Sequence, residues 1–200
     1  METKNSGLLI IFSGPSGAGK GTVLQRLFEL RSDCVCSVSC TTRAPRPGEV
    51  DGVNYHFIST ETFDNWVERD KFIEWDRHFS ASYGTPKEFV EEQLHSGKHV
   101  FLEIDVNGGQ NVMRKIPGCL SIFLMPPSWE ILEDRLKGRG TETAEQLEKR
   151  FSRARFELDN RQHYAYTVIN DDVDRAAQLI SSIIDAEMAR TQRVPSFQYN

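Results

Sequence analysis

The 200-residue chain is poor in cysteine, in net positive charge and in long apolar runs. Its four cysteines, Cys34, Cys36, Cys40 and Cys119, include no C-x-x-C pair. Such spacing supplies neither a zinc site nor a disulfide framework, and a reducing cytoplasm is the expected compartment. Lys and Arg number 24 against 29 Asp and Glu, for a net charge of −5. That balance argues against a dedicated nucleic-acid coat or a polybasic membrane binder. The apolar stretch Leu8–Phe12 falls far short of the roughly 20 residues of a membrane span. No cleavage site follows it, so a secretory signal is not expected. Repeats and low-complexity segments are also missing. Against these lacks stand 38% hydrophobic and 10% aromatic residues, enough for a packed core. The length suits one domain with small inserted lobes.

Leu8-Leu9-Ile10-Ile11-Phe12 reads as a strand buried on both faces, the habit of parallel sheets. Gly19–Arg31 places Val23, Leu24, Leu27 and Leu30 on one helical face. Val35–Cys40 predicts a short strand, and Ala44–Gly48 breaks regular structure. Residues 55–58, 60–69 and 72–79 read as strand, helix and strand in an aromatic-rich inserted segment. Pro86–Ser96 predicts a helix with Pro86 in its first turn. His99–Val106 predicts a second buried strand, Asn107–Lys115 a short helix, and Leu120–Met125 a third apolar strand. Ser128 is placed to cap the next helix. Thr143 with Gln146 fits a capping box ahead of Ala144, Leu147, Phe151, Ala154 and Leu158, which recur at helical spacing. Thr167–Ile169 predicts a last strand. Val173, Ala176, Ile180, Ile184 and Met188 mark a last helix, followed by an unpatterned tail. Alternating β and α segments predict an α/β fold with a mostly parallel sheet flanked by helices.

The most informative segment is Gly14-Pro15-Ser16-Gly17-Ala18-Gly19-Lys20-Gly21-Thr22. It follows a buried strand and enters an amphipathic helix, the setting of a phosphate-binding loop. Glycines let backbone N–H groups converge on phosphate oxygens, and the helix N-terminus adds partial positive charge. Lys20 has the reach for β- and γ-phosphates. The hydroxyl that usually follows this lysine is replaced by Gly21, with Thr22 one place later. Mg²⁺ would then rest mainly on nucleotide phosphates and water, with Thr22 free to bond a phosphate. This segment points to nucleotide binding without naming an acceptor.

Ser37–Glu49 combines hydroxyls with Arg43 and Arg46, and guanidinium forks suit the dianionic phosphate of a nucleoside monophosphate. Taken alone, two solvated arginines on a loop explain the segment as well. Further on come GEVDGVNYHF, FIEW, YGT, LEIDVNGG, GRGTETAEQLEKR and INDD. With SGPSGAGKGT and SVSCTTRAPRPGE, this ordered series resembles the guanylate kinase family over almost all of Leu8–Met188. A phosphate loop with Gly after Lys is similar to that of some nucleoside monophosphate kinases.

The resemblance implies a P-loop NTPase-like core (1–38, 96–132 and 161–190) and a small α+β GMP-binding lobe (39–95). It also implies a helical lid (133–160), with a tail at 191–200. It implies that Arg43, Arg46, Tyr55 and Tyr83 hold the GMP phosphate, and that Ser39, Glu74, Thr85 and Asp105 surround guanine. Guanine offers N1–H and an exocyclic amine to a carboxylate and O6 to a hydroxyl, which Glu74 and Ser39 complement. Adenine presents an acceptor at N1 and has no amine at C2, a mismatch that gives discrimination on the order of 10⁴. Asp105 ends an apolar strand, where phosphate-loop enzymes often place an acid that supports magnesium. The resemblance assigns it to the substrate, and no residue is assigned as a direct metal ligand.

Residues 133–155 hold seven Lys or Arg against five Asp or Glu, a local basic excess in an acidic chain. Taken alone, the run is a solvated helix face. The resemblance places Arg139 and Arg150, with Lys20 and Arg46, in the catalytic group, and Arg135 near the ATP phosphates. It puts Asn170 and Asp171 at the adenine, while Asp172 serves as a helix cap. The implied activity is transfer of the ATP γ-phosphoryl group to GMP, and to dGMP, in purine nucleotide metabolism. Its partners are ATP and GMP with Mg²⁺, without a nucleic-acid polymer or a membrane, and with monomer or homo-oligomer undecided. Two alternatives stay open: a monophosphate kinase for another base, and a protein-interaction module. The latter modules generally lack an intact phosphate loop.

Overall fold

The computed structural model describes residues 6–78, 81–138 and 144–193. Strand β1 (Leu9–Ser13) is buried throughout and leads through the glycine-rich loop into α1 (Lys20–Leu30). Then follow β2 (Cys34–Cys36), β3 (Cys40–Thr41), β4 (His56–Phe57), α2 (Thr60–Glu68), β5 (Phe72–His78) and β6 (Ala81–Pro86). The remainder comprises α3 (Lys87–His95), β7 (His99–Glu103), α4 (Val106–Lys115), β8 (Leu120–Met125), α5 (Trp129–Lys137) and α6 (Ala144–Asp159). A 3₁₀ turn, β9 (Tyr166–Ile169) and α7 (Val173–Met188) complete it.

The order β2-β7-β1-β8-β9 forms a five-stranded sheet, and every pairing in it is parallel. Period-2 alternation with both faces covered explains why β1 is apolar at each position from Leu9 to Phe12. Ile10 and Phe12 join Val23, Leu24 and Leu27 of α1 and Ala176, Ile180 and Ile184 of α7 on one face. Leu9 and Ile11 join Val90 of α3 and Val106 and Val112 of α4 on the other. Each Val, Leu, Ile or Phe among them, fully buried, contributes about 1.5–3 kcal/mol of transfer free energy. Among the described residues, no helix is long and apolar enough to cross a membrane.

A second, four-stranded sheet has the order β4-β3-β6-β5 and mixes parallel with antiparallel pairing. Its small core is Cys40, Phe63 and Phe72, with Trp66 packed against it. Leu132 and Leu136 of α5 pack on Phe151 and Ala154 of α6 in a third cluster.

Four local expectations change. The strand expected over Val35–Cys40 is two strands in different sheets. The Ser37 N–H donates to Phe101 O at the edge of the first sheet, and Ser39 O already accepts from His56 N in the second. Strand β6 was hidden by Ser82 and Gly84, which have low strand propensity. Gly84 is required there because a Cβ would lie 2.9 Å from the Phe72 ring. Pro86 ends that strand and stands at the N-cap of α3 with ψ 129°, outside the helix. The strand expected to reach Val106 stops at Glu103, because Asp105 caps α4 through Gly108 N. Ser128 and Asp172 cap α5 and α7 as expected. The expected cap Thr143 lies outside the described residues, as do Phe79 and residues 194–200 of the tail.

Candidate active site

Two hollows open at the C-terminal side of the parallel strands. The first, ≈ 360 Å³, is lined by Gly17, Gly19, Thr22, Arg135, Asn170, Asp171 and Val173. It belongs to the glycine-rich loop. Gly19 is the N-cap of α1 at φ 89°, and no side chain caps that helix. The partial positive charge of its first turn therefore faces outward. A Cβ on Gly19 would lie 2.5 Å from Asn170 Nδ2. Asn170 is buried and donates from Nδ2 to Ala18 O at 2.7 Å, strapping the loop to the end of β9. Asp171 is ion-paired with Arg175 on α7.

The Lys20 ammonium folds back over the loop, donating to Gly14 O at 2.7 Å and Pro15 O at 3.3 Å. Burial pulls its pKa below the usual lysine value, while the carboxylates of Glu103, Glu157 and Asp105 oppose that shift. From the other side, Arg135 donates to Gly17 O at 3.3 Å, and Arg150 Nη2 lies 3.5 Å from the exposed Ser16 Oγ. Gly14, Ala18 and Gly21 complete the loop, so its predicted residues come together. Arg139 lies outside the described residues.

The second hollow, ≈ 320 Å³, is lined by Ser39, Arg43, Arg46, Tyr55, Glu74, Asp76, Tyr83, Glu103, Ile104, Asp105 and Gly108. Strands β5 and β6 bring Glu74 opposite Thr85 and Asp76 opposite Tyr83. Thr85 lies fully buried behind Glu74 and donates to its Oε1 at 2.7 Å. Burial raises the Glu74 pKa, and the Thr85 hydrogen bond works the other way. Tyr55 and Tyr83 meet edge to face with ring centroids 5.9 Å apart.

Arg43 stands over the Tyr55 ring at 5.1 Å. Its two Nη atoms make a bidentate pair with Glu49, at 2.6 and 2.7 Å, while its Nε is buried without a hydrogen-bond partner. The Arg43 guanidinium and the Arg46 N–H hold the Glu49 carboxyl down to about 2. Asp105 accepts from Gly108 N through Oδ1 at 2.9 Å and from Arg153 Nη2 through Oδ2 at 2.7 Å.

All predicted acceptor residues therefore gather at one cavity, Thr85 in its second layer. Sequence reasoning missed Glu49, Asp76, Glu103, Gly108 and Arg153. Gly108 was detectable, because a Cβ there would lie 3.3 Å from Glu74 Oε2 and the LEIDVNGG segment holds it three residues past Asp105. Arg153 carried no local signal beyond a mixed charge run.

The arrangement offers a glycine-rich loop carrying Lys20 beside one hollow and arginines, tyrosines and a buried carboxylate at the next. Such a pair suits two anionic nucleotides brought end to end. The guanylate kinase family model matches residues 6–187. A guanylate kinase of Caldanaerobacter subterraneus subsp. tengcongensis is 51% identical over 193 residues, covering 96% of this chain and 94% of its own. One from Synechocystis is 42% identical over 186 residues, with 93% and 97% covered. The crystal structure of guanylate kinase from Anaplasma phagocytophilum superimposes with a TM-score of 0.77 at 32% identity, covering 95% of this chain and 90% of that one.

Proposed function

The chain belongs to the guanylate kinase family and is an ATP:GMP phosphotransferase, and we propose the following division of labour among its residues. The observation that carries the assignment is Glu74, a carboxylate buried at the acceptor cavity with its Oε1 held by Thr85. Its other oxygen faces a base that offers N–H donors, as the Watson–Crick edge of guanine does. Ser39 and Asp105 complete the base site. Arg43, Arg46, Tyr55 and Tyr83 hold the monophosphate. GMP and dGMP differ only at the ribose, away from the groups these residues address, so the reading covers both.

ATP lies with its phosphates on residues 14–22 and Arg135, and its adenine beside Asn170 and Asp171. The core is 1–38, 96–132 and 161–190, the acceptor lobe 39–95, and the lid 133–160. A phosphate oxygen of GMP attacks the γ-phosphorus. The new P–O bond forms as the bond to the β–γ bridging oxygen breaks, and ADP leaves with that electron pair. The GMP phosphate is already anionic at neutral pH, so no general base is required. Lys20, Arg46, Arg139 and Arg150 stabilise the charge that spreads over the transferred group.

The donor set fits Mg²⁺ carried mainly by phosphates and water. Gly21 offers no hydroxyl, Thr22 reaches the donor hollow, and Glu103 and Asp105 stand at the acceptor wall. When bound, the ion neutralises charge on the β- and γ-phosphates. The four cysteines are free thiols, which suits a reducing cytoplasm. A coupled assay across GMP, dGMP, AMP, UMP and dTMP tests the reading. Turnover is expected with the two guanine nucleotides, and strong AMP turnover without GMP turnover overturns it.

A further inference from the structure

Helix α6 carries two arginines three residues apart, a spacing that sets side chains beside each other on one face. They reach different nucleotide sites. Arg150 Nη2 lies 3.5 Å from Ser16 Oγ in the phosphate loop, and its Nη1 donates to Leu136 O at 3.2 Å. Arg153 Nη2 donates to Asp105 Oδ2 at 2.7 Å, at the wall of the acceptor cavity. Arg153 Nε donates to Glu157 Oε1 at 3.0 Å, and the guanidinium stands 5.3 Å over the Phe156 ring. The anchor it grips is stiff, because the other oxygen of Asp105 caps α4 through Gly108 N. One helix face thus ties the acceptor wall to the donor loop through neighbouring side chains.

We propose that Arg153 is a positioning residue for phosphoryl transfer: by fastening α6 to Asp105, it sets how deeply Arg150 reaches toward the transferred group. The proposal rests on the reading of Arg150 as a charge-stabilising group. A carboxylate oxygen accepts more than one hydrogen bond, so Oδ2 serves Arg153 and a guanine N–H together. The base and the lid helix then share one anchor. Displacing a catalytic group by about 1 Å costs rate on the order of 10²-fold, so fixing this register matters for kcat.

The test is steady-state kinetics on Arg153→Ala, Arg150→Ala, the double variant and Arg153→Lys, with the thermal midpoint of each recorded. Arg153→Ala should lower kcat by about tenfold with the KM for GMP changed less than about twofold. In the Arg150→Ala background, removing Arg153 should cost less than about a further twofold, because the two act in series. Arg153→Lys should recover part of the loss, since an ammonium meets Asp105 but lacks the fork that also holds Glu157. A full additional loss in the Arg150→Ala background overturns the proposal while sparing the reading of Arg150. An unchanged kcat in Arg153→Ala, or a loss seen only in the KM for GMP, overturns it as well. Unchanged turnover in Arg150→Ala defeats the underlying reading, and the proposal with it.

Discussion

Thr85 Oγ1 donates to Glu74 Oε1 across 2.7 Å, and both side chains are buried beside the acceptor cavity. The hydroxyl favours the charged carboxylate where burial disfavours it. The pair therefore sets the pH at which the base site gains its acceptor. Because burial raises the Glu74 pKa, use of GMP should weaken on acidification before an ordinary carboxylate would titrate. Thr85→Val removes the opposing hydrogen bond, so the acid limb of kcat/KM for GMP should move to higher pH. An unmoved limb, or one displaced to lower pH, contradicts this account. Glu74→Gln should lower kcat/KM for GMP by about 10²-fold or more, because an amide presents a donor to a donor.

Lys20→Ala removes the ammonium that arches over Gly14 O and Pro15 O. Turnover should fall by about 10²–10³-fold, the usual effect of losing one group that stabilises transition-state charge. The fold should survive, because the burial of this ammonium opposes its charged form. Circular dichroism and a coupled assay check both halves.

Gly19→Ala combines a positive φ of 89° with a Cβ 2.5 Å from Asn170 Nδ2. The strap from Asn170 to Ala18 O must give way, at a cost of about 1–3 kcal/mol. ATP binding, read by isothermal titration, should weaken more than GMP binding. An equal loss for both nucleotides would show that the strap does not belong to the donor site alone.

His99 makes stability pH-dependent. Leu8 N–H donates to its Nδ1 at 3.0 Å, so the ring is held neutral with Nε2 toward Asp33 Oδ2 at 3.5 Å. Burial lowers its pKa below 6.5, with the Asp33 charge opposing. Below that value the unfolded chain takes up a proton that the folded chain refuses, so stability falls as pH drops. The thermal midpoint should decline between about pH 7 and 5, and His99→Asn, which keeps an acceptor but does not titrate, should flatten the slope.

The phosphate loop was legible because all its signals are local: an apolar run, four glycines, a lysine and a helical stripe within residues 8–31. The acceptor residues were legible by family resemblance, since Ser39, Glu74 and Asp105 lie far apart in the chain and meet only at a cavity lined from both sheets. Residues 35–40 looked like one strand because propensity cannot register a change of partner between sheets. Strand β6 was lost because its pairing with β5 and β3, and not its composition, makes it a strand. The bidentate Arg43–Glu49 pair and the Arg153–Asp105 bridge depend on tertiary placement, which charge counting along the chain does not reveal.

Only Ser37, Val38 and Ser39 separate the strand that edges the parallel sheet from the strand inside the mixed one. Ser39 thus lines the acceptor cavity from a span owned by neither sheet. Because Glu74 and Tyr83 line the cavity from the second sheet and Glu103 from the first, a tilt of one sheet against the other would change its width. A proline at Ser37 or Val38, or a residue added between them, would reset the jaw without replacing any side chain assigned to the nucleotide.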